Sequence, residues 1–280
     1  MFDSSDSDSS LPPEFFEHYS SGYEAQRLQS GSSLIELVRT QEIVMRYLPE
    51  PPAVIFDVGG GPGIYACWLA EQGYEVHLID VNPIHVELAR QASQRQPEAA
   101  LASIEVGDAR NLKRSDASAD MILMFGPLYH LTEHVDRLRA LREAYRVLRS
   151  EGLLIAVGIS HFTSALDGMR QGFFDDPEFT RIVERDLMDG QHRNPTNNPN
   201  YFTTAYFHHP DELRTEVEES GFLHEKTLPI EGLLWLLDNV VNNFADIKQR
   251  EQFMEVARLL EVEPSLLGAS AHLMVVARKV

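Results

Sequence analysis

Between residues 54 and 66 the chain places a carboxylate directly before a run of glycines. Asp57 and Gly59-Gly60-Gly61-Pro62-Gly63 give the spacing Asp-x-Gly-x-Gly-x-Gly. Glycine reaches positive φ and lets a backbone approach a ligand closely, so Gly59, Gly61 and Gly63 suit a loop that wraps a nucleoside-bearing molecule. Asp80 stands 19 positions after Gly61, where an acid can accept hydrogen bonds from both hydroxyls of a ribose. Asp57 itself suits a cationic ligand part, such as an amino group, better than a pyrophosphate. Gly107-Asp108-Ala109 offers a third carboxylate, suited to an adenine amino group. The loop alone leaves the ligand open. Gly61-x-Gly63-x-x-Ala66 also satisfies the relaxed dinucleotide fingerprint, which keeps a nicotinamide-dependent oxidoreductase in play. A non-catalytic cofactor-binding partner protein is equally compatible with it.

A second set of residues could act on an acceptor. Tyr129 and His130 follow an apolar run that ends at Phe125, and they would face the same edge as the glycine loop. Imidazole titrates near neutral pH, so His130 is a candidate general base as well as a substrate contact. Packing beneath the next helix is its plainer alternative. His161, Tyr201, Tyr206 and Trp235 are further candidate substrate contacts, although aromatic residues more often fill cores. His130 and His134 share the i, i+4 spacing of a metal pair, but no third ligand matches them, so no metal is expected. Cys67 lies in an apolar stretch and reads as buried and inert.

Short apolar runs alternating with amphipathic stretches must position these groups. Strands are predicted at 53–58, 75–80, 103–106, 120–125, 153–159, 222–229 and 272–278. Gly73 marks the end of one intervening helix, and Asn82-Pro83 caps the next. Apolar stripes are expected at Leu34, Val38, Met45 and Leu48, and at Ile84, Leu88 and Ala92. The helix at 134–149 should turn Leu138, Leu141, Tyr145 and Leu148 inward and its five arginines outward. The pattern implies βαβ units, a mostly parallel sheet and helices on both faces. Ligands of such sheets lie beyond the carboxyl ends of the strands. After the fifth strand the rhythm breaks. Residues 160–209 read as an insertion, turn-rich and aromatic, of the kind that forms a lid over a site. Residues 1–12 read as a disordered acidic and serine-rich tail, 13–52 as a helical cap, and 53–280 as the α/β domain.

With these motifs in view, the chain resembles the class I S-adenosylmethionine-dependent methyltransferases. The resemblance rests on FDVGGGPG at 56–63, HLIDVNP at 77–83, EVGDARNL at 105–112, DMILMFGPLYHL at 120–131 and REAYRVLRSEGLLIAV at 142–157. The GPLYHL form looks like a subgroup acting on small molecules. The resemblance implies a Rossmann-like seven-stranded sheet, order 3-2-1-4-5-7-6, with the last strand antiparallel. It implies that Asp57 orders the methionine amino group and that Gly59, Gly61 and Gly63 pass beneath the methionine and ribose. Asp80 would hold the ribose, Asp108 and the Ala109 amide the adenine, and Phe125 the methyl end. Tyr19 and Tyr23 would close over the bound cofactor, Tyr19 also touching the substrate. Ser150-Glu151-Gly152 departs from the family's usual Pro-Gly-Gly, at the far end of the sheet.

Composition narrows the partners. The 280 residues carry a formal charge of −19, which repels phosphate backbones and anionic membrane surfaces, so nucleic acid and membrane are not expected partners. A single cysteine excludes an intramolecular disulfide and fits a reducing, cytoplasmic setting. No run reaches the ~20 apolar residues of a membrane span, and no signal peptide is read at the N-terminus. The expected activity is methyl transfer to an oxygen or nitrogen of a small molecule. Oligomeric state is not encoded in these features.

Overall fold

The computed structural model describes residues 11, 14, 19, 28, 33–196, 198–237, 244 and 246–280. The predicted tail over residues 1–10, most of the first helix of the cap, and Tyr23 lie outside the described residues. Strands β1 (Val54–Val58), β2 (Glu75–Asp80), β3 (Ser103–Val106), β4 (Ala119–Met124) and β5 (Leu148–Ser160) run parallel in the order β3-β2-β1-β4-β5. The last strand, β9 (His272–Arg278), lies antiparallel beside β5, and β8 (Leu223–Pro229) lies antiparallel beside β9. This is the order the family resemblance implies. β1 and β4 are almost wholly buried, as expected for strands covered on both faces.

The expected seven strands become nine among the described residues. The insertion contributes β6 (Gln191–His192) and β7 (Ala205–His208), and β7 pairs in parallel with the last two residues of β5. The insertion therefore grows out of the sheet itself, at its ligand-bearing edge. It also carries two of the helices. In chain order the helices are α1 (Ser33–Met45), α2 (Ile64–Glu71), α3 (Pro83–Gln94), the single turn α4 (Pro127–His130), α5 (His134–Val147), α6 (Thr163–Gln171), α7 (Pro177–Asp189), α8 (Pro210–Glu219) and α9 (Ile247–Leu260). Asn82 caps α3 by accepting from the Ile84 amide, with Pro83 at the first position.

Three predicted helix faces differ from the observed ones. On α1 the buried side chains are Ile35, Arg39, Thr40, Ile43 and Val44, whereas Met45 is exposed. Arg39 is buried because it bridges elements: Nε donates to the Ile230 carbonyl, and the guanidinium pairs with Glu42 and Glu261. On α3 the inner face is His85, Val86, Ala89 and Ser93, and Ile84 is exposed. The fifth arginine predicted for α5, Arg149, lies in β5, and one of the four on the helix turns inward.

That residue, Arg137, is 2% exposed and grips Glu216 of α8 with Nε and Nη2, at 2.7 to 3.0 Å. Its Nη1 donates to the carbonyls of Leu131 and Thr132, and its guanidinium lies 3.6 Å from the Tyr206 ring centre. His208 Nε2 is 3.3 Å from the same carboxylate. Burial alone would raise the Glu216 carboxyl, but His208 and Arg137 hold it down at about 2. Its folded value lies below the unfolded one. The stabilisation is therefore complete above pH 4.5 and is lost as pH falls through about 2. Removing one partner leaves an uncompensated buried charge. Arg137→Met is expected to lower the unfolding free energy by about 3–5 kcal/mol in urea titrations. The double variant Arg137→Met/Glu216→Leu should be more stable than that single variant. A single variant as stable as the double would show that the pair is not a coupled buried unit.

Candidate functional site

The carboxyl ends of β1, β2 and β4 converge on the glycine loop. The Gly59 amide donates to the Ile79 carbonyl at 2.7 Å, which presses the loop onto the end of β2. Gly59 takes φ +75°, and a β-carbon on it would lie 2.5 Å from Cδ of Pro127. Gly60, absent from the predicted set, is equally constrained, since a β-carbon there would lie 2.6 Å from Asp57 Oδ2. Gly63 is the N-cap of α2 at φ 89°. Glycine is thus demanded by both the strand beneath the loop and the α4 turn above it.

Asp57 lies under this loop, 1% exposed, and its Oδ2 makes no hydrogen bond among the described residues. Burial, together with the neighbouring Asp80 charge, pushes its carboxyl up to about 7. Asp80 is anchored by backbone donors, Gly61 N–H on Oδ2 and Asn82 N–H on Oδ1, both at 2.8 Å. His85 Nδ1 stands 3.4 Å from Asp80 Oδ1. Asp108 is forked by Arg110, with Nη2 2.6 Å from Oδ2, and Arg110 also reaches Asp136. Burial would raise the Asp108 carboxyl, and the Arg110 contacts more than reverse this.

A cavity of 110 Å³ opens in front of these groups, lined among others by Gly59, Gly61, Asp80, His85, Asp108 and Ala109. A second cavity, of 280 Å³, lies under the insertion and includes Asp167, Tyr201, Phe202, Phe207 and His272 in its wall. Tyr19 and Tyr129 line both, so the two cavities meet at that pair. His130 borders the first cavity, and its Nε2 is 2.8 Å from the Tyr19 hydroxyl. The Phe202 ring stacks toward His130 at 6.1 Å between centroids.

The predicted residues separate into three groups. Gly59, Gly61, Asp80, Asp108, Ala109, Tyr19, Tyr129, His130 and Tyr201 line the cavities. Asp57 and Gly63 support the loop from behind. Phe125, His161, Tyr206 and Trp235 line neither cavity. Phe125 packs edge-on against Tyr65, Tyr206 lies against Arg137, and Trp235 Nε1 donates to the Ala269 carbonyl. His161 Nδ1 is 3.3 Å from the Phe207 carbonyl. His85, Asp167, Phe202, Phe207 and His272 line the cavities without having been singled out as site residues. His134 turns away toward Glu219, at 3.4 Å. Glu36, Glu231 and His272 bring one potential metal ligand each within 4.8 Å of one another. Two of those side chains already bond each other, Glu231 Oε1 to His272 Nδ1 at 2.6 Å.

Two positions in this region carry a thermodynamic cost. The folded carboxyl of Asp57 titrates near 7 against an ordinary 3.8, so the fold favours its protonated form. The associated stabilisation is complete below pH 3.8 and is lost as pH rises through about 7. In thermal unfolding of the ligand-free protein, Asp57→Asn should therefore gain on the wild type as pH rises from 5 to 8. A difference that stays constant over that range would refute the assignment. Phe202 holds φ +63° and ψ −179°, a region costing non-glycine residues roughly 1–3 kcal/mol. Phe202→Gly and Phe202→Ala both lose the ring, but only glycine relieves the backbone. The glycine variant should be the more stable of the two by about 1 kcal/mol in urea unfolding. Equal stabilities would place the strain elsewhere.

Comparison with known proteins agrees with this geometry. Residues 56–156 match the family described as a methyltransferase domain. Ajmaline N-methyltransferase of Rauvolfia serpentina is 26% identical over 176 residues, covering 61% of this chain and 57% of that enzyme. The chain thus spans little more than half the length of this curated relative. A methyltransferase structure from Methanosarcina mazei superposes with a TM-score of 0.58 at 21% identity, covering 85% of this chain and 97% of the other. Geranyl diphosphate C-methyltransferase from Streptomyces coelicolor, solved with magnesium, geranyl diphosphate and S-adenosyl-L-homocysteine, superposes at 0.54 with 12% identity, covering 85% and 78%. The last two likenesses establish the fold. Residues 56–156 match a methyltransferase domain, and the carboxylates and glycines stand at the strand ends that this fold uses for ligands.

Proposed function

We propose that this protein transfers a methyl group from S-adenosylmethionine to a nitrogen or oxygen of a small molecule. The observation that carries the reading is the meeting of the two cavities at Tyr19 and Tyr129. The smaller one has the donor set for the cofactor. The orphaned Asp57 oxygen and the β-carbon-free turn fit an ammonium group and a closely approaching backbone. Asp80 would take the ribose hydroxyls, and Asp108 with Ala109 would face the base. S-adenosylmethionine, when bound, supplies a methyl group already made electrophilic by its sulfonium. The chain must then align the acceptor and exclude water, which is catalysis by proximity and orientation.

The larger cavity would hold the acceptor, with the segment 160–209 as its cover. A proton leaving the acceptor has a route in the Tyr19–His130 contact. The Tyr19 oxygen accepts it while the Tyr19 hydroxyl proton passes to His130 Nε2, 2.8 Å away. Tyr129 shapes the junction between the cavities. The relative that methylates ajmaline supports a small-molecule acceptor. The net charge of −19 argues against a nucleic acid, and among the described residues no helix is long and apolar enough to cross a membrane.

Calorimetry with S-adenosylmethionine tests the assignment. Asp80→Ala should weaken binding by roughly 10- to 150-fold, the loss of about 1.5–3 kcal/mol in hydrogen bonds to a carboxylate. The variant should keep the wild-type circular dichroism spectrum. A dissociation constant unchanged within twofold, or a preference for a nicotinamide dinucleotide, would overturn the reading. Release of S-adenosylhomocysteine across a small-molecule panel then identifies acceptors.

A further inference from the structure

The wall of the larger cavity has a distinctive chemistry. Tyr19, Tyr129, Phe179, Tyr201, Phe202 and Phe207 supply six aromatic rings to it. Thr163, Ser164 and Asn200 add neutral polar groups. Among the described residues the one carboxylate in the wall is Asp167, and neither lysine nor arginine lines it. Asp167 pairs through Oδ1 with Arg170, at 2.8 Å, and Oδ2 makes no hydrogen bond among the described residues. His272, also in the wall, is backed by the buried carboxylate of Glu231 at 2.6 Å. The cavity thus presents π-faces and one carboxylate, whose Oδ1 is shared with Arg170 and whose Oδ2 is left for a ligand, inside a chain of net charge −19.

These features select on charge. Among the described residues of the wall, a phosphorylated or carboxylated acceptor would meet no lysine or arginine side chain, and the Asp167 carboxylate would disfavour it. An ammonium ion gains from both parts of the wall. Aromatic faces attract a cation within about 6 Å of the ring centre, most strongly where it is shielded from water. The strained backbone of Phe202 fits the same role. Its carbonyl accepts from Asn194 Nδ2 at 2.8 Å, which holds the segment in place against the cost of φ +63°. The Phe202 ring is thereby kept near His130 and Phe207, at 6.1 and 6.4 Å between centroids.

We infer that the acceptor is an amine with an aromatic or bulky apolar body, captured as its ammonium ion by the aromatic wall with Asp167 as counter-charge. The inference rests on the methyltransferase reading above and deepens it. The ammonium first gives one proton to the Tyr19 oxygen as the Tyr19 proton moves to His130. The freed nitrogen lone pair forms the new N–C bond. The carbon–sulfur bond of the cofactor breaks, and its electron pair stays on sulfur. The product is again an ammonium ion, carrying one more methyl group.

Binding of three unreactive probes separates charge from shape: 4-hydroxybenzyltrimethylammonium, its uncharged carbon isostere 4-neopentylphenol, and 4-hydroxyphenylacetate. Each is titrated calorimetrically into protein saturated with S-adenosylhomocysteine, so no turnover occurs. The cation should bind at least tenfold more tightly than the isostere, and the carboxylate more weakly than either. Asp167→Asn should cut the cation's advantage about fivefold and leave the isostere unchanged. Phe202→Leu should weaken the cation more than the isostere. Equal binding of cation and isostere, tighter binding of the carboxylate, or an unaltered cation-to-isostere ratio in Asp167→Asn would overturn the inference. S-adenosylhomocysteine binding in the same titrations keeps the two readings apart. If it binds and the cation is not preferred, only the acceptor class fails. If it does not bind, the methyltransferase reading itself fails.

Discussion

Everything at the ligand edge depends on how little room surrounds the turn at 59–63. Below it lies the Asp57 carboxylate, which a β-carbon at Gly60 would meet at 2.6 Å. Above it lies Pro127, at 2.5 Å from a β-carbon at Gly59. The Ile79 carbonyl holds the Gly59 amide, and the Asp80 carboxylate holds the Gly61 amide. One close-packed turn therefore ties β1, β2 and α4 together. It also sets the distance between the Asp57 and Asp80 carboxylates, and that proximity contributes to the raised Asp57 carboxyl. The His130 ring inherits its position from the same turn, because α4 begins at Pro127.

The sheet was legible because its information is local. Short apolar runs, Gly73, Asn82-Pro83 and the acids at strand ends each state their own position. The helix faces were less legible because hydropathy does not report pairing. Arg39 and Arg137 read as solvent-facing by residue type, yet both are buried by partners more than seventy residues away. Those partners are Glu261, 222 positions along the chain from Arg39, and Glu216, 79 positions from Arg137. Likewise His85 replaces Ile84 on the inner face of α3, since the first turn of that face meets the end of β2 and Asp80 before Ala89 reaches the apolar layer. No count of apolar residues at helical spacing contains that information.

The site divides along the same line. Asp57, Asp80 and Asp108 announce themselves by spacing from the glycines, because the βα turn fixes where they must stand. The larger cavity is built by tertiary contacts, so residue type alone misassigns its wall. Tyr206 and Trp235 are as aromatic as Tyr201, but one lies against Arg137 and the other donates to Ala269. Phe202 and Phe207 enter the wall because β7 pairs with the end of β5, a register that a four-residue strand in a turn-rich insertion barely signals. Asp167 looks like an ordinary i, i+3 partner of Arg170 and gains meaning only from the rings across the cavity.

Both halves of the site run against local stability, and they do so by different means. Behind the glycine loop the cost is electrostatic: a buried carboxylate with one oxygen unpartnered among the described residues, whose ionised form burial and the Asp80 charge oppose. In the wall of the larger cavity it is conformational: a phenylalanine in backbone space that only glycine occupies freely. Asp57 stands near the carboxyl end of β1, and Phe202 in the insertion. The sheet packs Ile55, Leu78, Met121 and Leu123 with essentially no exposure, and the one large buried charge on α5 is fully paired. Strain of this size persists only where the surroundings over-determine it. Here they do so twice, through the loop clamped between Asp57 and Pro127 and through Asn194 holding the Phe202 carbonyl. The rigid sheet thus tolerates both, one behind the glycine loop and one in the wall of the larger cavity.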